Sequence, residues 1–474
     1  MSEIANEPRK LPFGIKIGYG FAALSDGTAY VFFYSFFMLF MTDYAGVDPM
    51  LAGSVSLIVV LWDAVTDPIV GWLSDNCKWK WGRRRPFFLI GIVPWMITLV
   101  LMFSVIDAEP QAKFIYYVIM AMLFWTSYTI CDVPFKAFGA ELTSDYSERA
   151  TLRLFGQFFS SSGVAIAVIF TMLLVGFFSE SFQTNQAWAY VAGVYAIISF
   201  FGYIVMWRTT RGWDKPMAER SAEEQQKENV FKTYYDLIKE VKPLRYLLAA
   251  ILAFMCGNSL YGSGIFYAFT YLLQWDAAQI AGANTYITVL GFILVFVVGA
   301  LVKKFDKKQI LIVFLTISTV SLFAFKFIGM TAAWQCYAYV TFYAFSNLGF
   351  WALIWAIVYD VAEVDELLHG KRREGSTTAV GSFVQKLGSA LALWLVGFSL
   401  SIGGYDPAAP VQTESALEGI LNTITVYPGV FTLISLILVW RYPINGKNFQ
   451  LVRKALEDKK ATGEYSREGL ERIL

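Results

Sequence analysis

The 474-residue sequence predicts an all-α integral membrane protein with twelve spanning helices in two sets of six. Apolar segments of spanning length recur from end to end, basic residues appear in alternate loops, and one long polar stretch divides the chain near its middle. Hydrophobic residues make up 57% of the chain and charged ones 16%, too little charge to cover a soluble protein of this size. A hydrocarbon layer about 30 Å thick takes roughly 20 apolar residues per helix. Such stretches lie at 15–42, 50–74, 87–106, 114–138, 152–178, 187–207, 246–273, 282–302, 309–330, 334–359, 376–403 and 420–440.

Lysine and arginine in short loops gather on the cytoplasmic side of a membrane. Lys78, Lys80 and Arg83–Arg85 follow the second span, Lys303, Lys304, Lys307 and Lys308 the eighth, and Lys371–Arg373 the tenth. The central stretch 208–245 holds nine more basic residues and the chain after the twelfth span eight, whereas loops 43–49, 179–186, 274–281 and 404–419 hold none. Both termini are therefore expected in the cytoplasm, and an odd number of spans would break the alternation. The expected organisation is a six-helix bundle over 1–207, a cytoplasmic loop over 208–245, a second bundle over 246–441 and a cytoplasmic tail over 442–474. An amphipathic segment from Val230 is expected along the membrane surface. Residues 1–13 are polar and carry no apolar core of a cleavable signal peptide, so the first span is expected to direct insertion.

Cys77, Cys131, Cys256 and Cys336 are isolated from one another and imply neither disulfide nor metal site. The single histidine, His369, falls in a basic loop, which argues against histidine-based chemistry. No phosphate-binding glycine loop and no Ser/His arrangement stands out, so an enzyme or receptor reading has little support.

The second span ends in GWLSD (71–75), followed by GRRR from Gly82. A fainter copy, GALV from Gly299 and then Lys303, Lys304, Asp306, Lys307 and Lys308, follows the eighth span without the acidic residue and arginines of the first. The first copy resembles the signature that major facilitator superfamily transporters carry between their second and third helices. That resemblance implies six plus six helices related by an axis along the membrane normal, with Asp75, Arg83 and Arg84 in gating or structural roles.

Charges inside the apolar spans carry most of the functional information, because each costs at least ~2.5–3.5 kcal/mol to place there. Asp63 and Asp67 are four apart and share one helix face. Two like charges at that spacing require a bridging cation or a proton. With the Thr66 hydroxyl they offer the oxygen ligands that sodium prefers, and the same pair suits a proton. The competing reading neutralises them by Arg83–Arg85, about five helical turns beyond Asp63. Asp26 lies in the first span with no partner close in sequence, and Asp132 lies in the fourth. Pro134 frees a backbone carbonyl there. Lys136, four residues after Asp132, either pairs with it or serves a ligand. Lys386 in the eleventh span is expected to neutralise a first-half aspartate, while Gly381, Gly388 and Ser389 permit close packing. Lys326 is expected to snorkel. Asp360, Glu363, Asp365 and Glu366 end the tenth span beside Lys371–Arg373, including Arg372 and Arg373, and read as a gate or structural ion pairs.

Taken together and in order, WDAVTDP (62–68), WGRRRP (81–86), YTICDVPF (128–135) and GKRREG (370–375) resemble the glycoside–pentoside–hexuronide:cation symporters, over nearly the whole chain. The resemblance implies a cation site at Asp63, Thr66, Asp67 and Thr129, with the choice of sodium, proton or lithium open because Thr66 replaces an asparagine. It implies sugar contacts at Asp26 and Asp132, with Trp351 and Lys386 also at family positions. Three positions depart from the family pattern: Ser25 replaces a lysine, Gln157 a fifth-helix arginine, and Lys136 a sugar-packing tryptophan. Lys136 would suit a carboxylated sugar or simply balance Asp132. The expected function is cation-coupled symport of a sugar or glycoside by a monomer in a bilayer, without cofactor or nucleic acid. The alternative is the same fold carrying an amphipathic lipid, peptide or other organic solute. Two aspartates accept hydrogen bonds from hydroxyls, which favours the sugar.

Overall fold

A computed structural model describes residues 11–75, 77, 79, 82–143, 146–214, 230–370, 373–407, 409, 411–462, 464–471 and 473. Among them all regular structure is helical. The helices are α1 (Phe13–Leu39), α2 (Pro49–Asp75), α3 (Arg85–Met102), α4 (Pro110–Glu141), α5 (Tyr146–Ser181), α6 (Thr184–Thr209), α7 (Val230–Glu240) and α8 (Lys242–Tyr267). They continue as α9 (Ala277–Val302), α10 (Lys307–Ile328), α11 (Ala333–His369), α12 (Glu374–Gly403), α13 (Glu414–Ile424), α14 (Val426–Arg441) and α15 (Gly446–Thr462). Single π turns, Phe40–Tyr44 and Ala268–Leu272, extend α1 and α8. Twelve spans among the described residues are long and apolar enough to cross a membrane, α13 and α14 together forming the last.

The chain divides into two compact units, α1–α6 in the first and most of α7–α15 in the second; the segment Trp275–Thr285 groups with the first. In the first unit α1 packs against α5 and α6. Glycine is required at those crossings: a Cβ on Gly163 would stand 2.2 Å from the Leu24 carbonyl oxygen, and one on Gly27 2.4 Å from that of Ser160. Phe32 stacks on Phe103 at 4.1 Å and both rings are fully buried. In the second unit Phe254 of α8 stacks on Phe350 of α11 at 3.7 Å within the apolar core.

Two span boundaries differ from those expected. The tenth span does not end near 359: α11 continues to His369, and the carboxylates Asp360, Glu363, Asp365 and Glu366 lie within the helix. Helix propagation does not stop where hydropathy does, provided the added charges are paired. The twelfth span begins at Glu414 and breaks at Thr425, where ψ is −70°. The Tyr339 hydroxyl donates to the Ile424 carbonyl beside this break. After residue 442, α15 and the residues beyond it insert Val452, Ala455, Leu456, Leu470 and Ile473 into the second unit's core. Likewise α7 buries Leu237 in that core and packs on α8 and α12.

Candidate functional site

The carboxylates of α2 and the hydroxyl of α4 come together in the first unit. Asp63 is 1% exposed and Thr129 likewise 1%, and the Thr129 hydroxyl lies 2.8 Å from Asp63 Oδ1 and 3.2 Å from Asp67 Oδ1. One hydroxyl proton thus serves two carboxylates on one helix face. The Thr66 hydroxyl is buried and donates to the Asp63 carbonyl at 3.2 Å, which leaves its lone pairs on the same turn as the carboxylates. Four oxygen-bearing side chains therefore cluster, and hard cations take ligands of this kind.

One turn further along α4, Asp132 is buried and Lys136 donates to its Oδ2 at 2.7 Å. The pairing of Lys136 with Asp132 is thus realised, yet the lysine side chain keeps 63% of its surface exposed against 4% for the aspartate. Asp26 faces Tyr128, Asp132 and Lys136. Asp26 Oδ1 and Asp132 Oδ1 are both buried without a hydrogen-bond partner. The carboxylate that Lys136 pairs with is that of Asp132, on its own helix. Tyr19 stacks on Phe135 at 4.5 Å beside this group.

The departures from the family pattern have structural counterparts. Ser25 is fully buried against α6, its hydroxyl donating to the Phe21 carbonyl at 3.0 Å. A Cβ on Gly202 would stand 2.1 Å from Ser25 Oγ, so this position has no room for a lysine. Gln157 is exposed and donates to Ser161 at 3.2 Å. One turn earlier, Arg153 is exposed and within electrostatic reach of Tyr19, a cation that sequence reasoning passed over. In the second unit Trp351 packs half-buried against the core and Lys386 is half-buried on α12.

The GRRR turn is held by acids far away in sequence. Arg83 and Arg84 both pair with Glu141 at the end of α4, the latter at 3.1 Å, and Arg84 also donates to Ser74 Oγ at 2.5 Å. Asp214 accepts from the backbone N–H groups of Arg84 and Arg85 at 2.8 and 3.1 Å, capping α3. Gly82 sits at φ +110°, where a Cβ would collide with that carboxylate. Burial pushes the Asp214 carboxyl above the ordinary range, and the two N–H donors oppose the shift. The side chain of Asp75 lies outside the described residues, as does Arg372.

Among the described residues, the acidic row of α11 pairs with cations both near and far in sequence. Asp360 pairs with Lys307 at 2.6 Å, Glu363 with Arg453 at 3.1 Å and Glu366 with Lys460 at 2.7 Å. Of the described basic residues in the 370–375 stretch, Arg373 pairs with Asp365 at 2.6 Å. His369 belongs to the helix end rather than a loop and bridges Asp365 and Glu240 at 2.9 and 3.0 Å. Glu141, Asp214, Glu240, Arg453 and Lys460 carried no motif that would have singled them out.

Among the described residues twelve spans in two units are long and apolar enough to cross a membrane, and the first unit holds a group of buried carboxylates, the build of a polytopic membrane protein. The sequence profile of the MFS/sugar transport protein family matches residues 18–446, and the chain belongs to that family, the glycoside–pentoside–hexuronide:cation symporters of the major facilitator superfamily. It is 26% identical to an uncharacterized symporter of Synechocystis sp., covering 94% of this chain and 97% of the relative. It is 25% identical to the glucuronide carrier protein homolog of Escherichia coli, covering 94% and 95%. The crystal structure of a D-xylose-proton symporter superposes with a TM-score of 0.67 at 14% identity, over 91% of this chain and 97% of that one, and shows the shared fold. The protein is a secondary transporter.

Glu141 neutralises two guanidinium groups that are only 6% and 5% exposed. Glu141→Gln should destabilise the first unit by about 1.5–3 kcal/mol, read as a lowered thermal midpoint of the detergent-solubilised protein. An unchanged midpoint would show that Arg83 and Arg84 do not depend on this carboxylate.

Proposed function

We propose that the protein couples inward movement of a sugar or glycoside to a cation, sodium or proton, by alternating access. The observation that carries this reading is the single Thr129 hydroxyl shared by Asp63 and Asp67 at 2.8 and 3.2 Å. A cation entering there is held by both carboxylates, with the Thr66 and Thr129 hydroxyl oxygens completing a hard-oxygen set; a proton is held by the pair as a coupled unit. The buried acceptors Asp26 Oδ1 and Asp132 Oδ1 receive sugar hydroxyls. Lys136 links the two sites. A cation bound by Asp63 and Asp67 neutralises the neighbouring negative charge and leaves Lys136 on Asp132, which holds that carboxylate for the sugar, so each ligand favours the other. The ends bearing Arg83–Arg85, Lys307 and Lys308 face the cytoplasm, with both termini on that side. In proteoliposomes, Asp63→Asn and Asp67→Cys should each abolish accumulation of glycoside against its gradient while leaving the protein inserted. If both variants still concentrate substrate, the coupling ion binds elsewhere.

A second reading concerns the cargo's charge. Lys136 stays largely exposed while paired, so it has N–H groups left for a carboxylate on the sugar, and one relative is named a glucuronide carrier homolog. Lys136→Trp should then weaken uronide binding relative to a neutral glycoside through loss of a charge-assisted hydrogen bond worth roughly 1.5–3 kcal/mol. The quantity to measure is the ratio of the two affinities in wild type and variant. An unchanged ratio assigns Lys136 to balancing Asp132 only.

A further inference from the structure

Carboxylates can only accept hydrogen bonds, whereas a sugar hydroxyl both donates and accepts. A site for a polyhydroxylated cargo therefore needs neutral groups that offer donors as well. Such a cluster stands in the second unit on α8 and α11. The Asn347 amide donates to Asn258 Oδ1 at 3.0 Å, and the Tyr343 hydroxyl donates to the same oxygen at 3.1 Å. Tyr343 is 2% exposed and stacks on Tyr261 at 3.9 Å, which fixes its phenol. Asn258 and Asn347 are each half-buried.

A primary amide carries two N–H donors and a carbonyl oxygen with two lone pairs. The network uses both lone pairs of Asn258 Oδ1 and one N–H of Asn347. Both N–H groups of Asn258 are left over, with the carbonyl and second N–H of Asn347. Neither Asn258 Nδ2 nor Asn347 Oδ1 is a buried atom lacking a partner, so both are accessible at the surface of the helices. Polar groups with unused capacity inside a spanning helix are costly and mark ligand paths. Asn347 lies one turn before the half-buried Trp351 and on the same side of α11, so hydrogen-bonding groups adjoin an aromatic face.

We infer that Asn258 and Asn347 form a hydroxyl-binding subsite of the second unit, with Tyr343 as a positioning residue that fixes the Asn258 amide. The inference rests on the sugar reading above. Two hydrogen-bond donors on one asparagine and a donor–acceptor pair on its neighbour match two adjacent ring hydroxyls, and Trp351 offers a surface for the ring's C–H face. The competing role is helix adhesion, the two amides merely tying α8 to α11.

The full-length protein in detergent, with saturating sodium at fixed pH, separates these roles. Binding of methyl β-xyloside, methyl β-galactoside and methyl β-glucuronide is measured by calorimetry, and the tightest binder is followed with its monodeoxy analogues. Asn258→Ala and Asn347→Ala should each weaken binding about tenfold or more. One deoxy analogue should cost the wild type a similar factor and the matching variant almost nothing, since the partner of that hydroxyl is already gone. Sodium-dependent thermal stabilisation should persist in both variants, because the groups proposed to hold the cation lie in the first unit. Equal affinity loss for every analogue with a lowered thermal midpoint, or no loss at all, overturns the subsite in favour of adhesion while the sugar reading stands. Failure of the wild type to bind any of the three glycosides overturns the sugar reading, and the subsite with it.

Discussion

An ionised carboxylate in an apolar helix is tolerated only where something answers its charge, and the sharing of Thr129 between Asp63 and Asp67 is the point on which the rest of this molecule turns. The threonine comes from α4 and the aspartates from α2, so the bond also fixes how those helices face one another. From there α4 runs on through Asp132 and Lys136, which places the second group of carboxylates one turn away on the same element. On the proposed reading, the groups for the ion and for the cargo both include residues of α4, and Lys136 pairs with Asp132 between its turns.

The same constraint shapes the helix ends that carry the basic loops. Buried guanidinium groups of the GRRR turn are matched by Glu141, and the backbone N–H groups at the buried start of α3 by Asp214. In the second unit the carboxylates of α11 are answered by Lys307 and by cations of α15. These pairs let helices extend well past their apolar stretches. They also explain why the region after the twelfth span is folded: its apolar face enters the core while Arg453 and Lys460 reach the acidic row.

Much of this was legible in the sequence, for identifiable reasons. The number of spans follows from hydropathy and the alternation of basic loops, both local properties. The one-sided placement of Asp63 and Asp67 follows from their spacing of four, and so does the Asp132–Lys136 pair. The role of Thr129 rested on family resemblance alone, because a contact between residues 63 and 129 leaves no trace in spacing. Glu141 and Asp214 were missed for the same reason, pairing across 58 and 130 residues. Helix ends were misjudged where charge and apolar length part company, as at α11, whose last turns are polar yet ion-paired. The amide cluster of Asn258 and Asn347 escaped notice because uncharged polar residues barely disturb a hydropathy profile.

On the proposed reading, cation and cargo stabilise each other through neighbouring carboxylates on α2 and α4. Its most direct test is the glycoside dissociation constant with and without saturating cation, set beside the cation's with and without saturating glycoside. The two factors must be equal, and they should fall within about 5- to 150-fold. Thr129→Val, which keeps the shape and removes the hydroxyl, should bring both factors towards one. A glycoside affinity indifferent to sodium, lithium and pH alike, in a protein that still binds the sugar, would contradict the account.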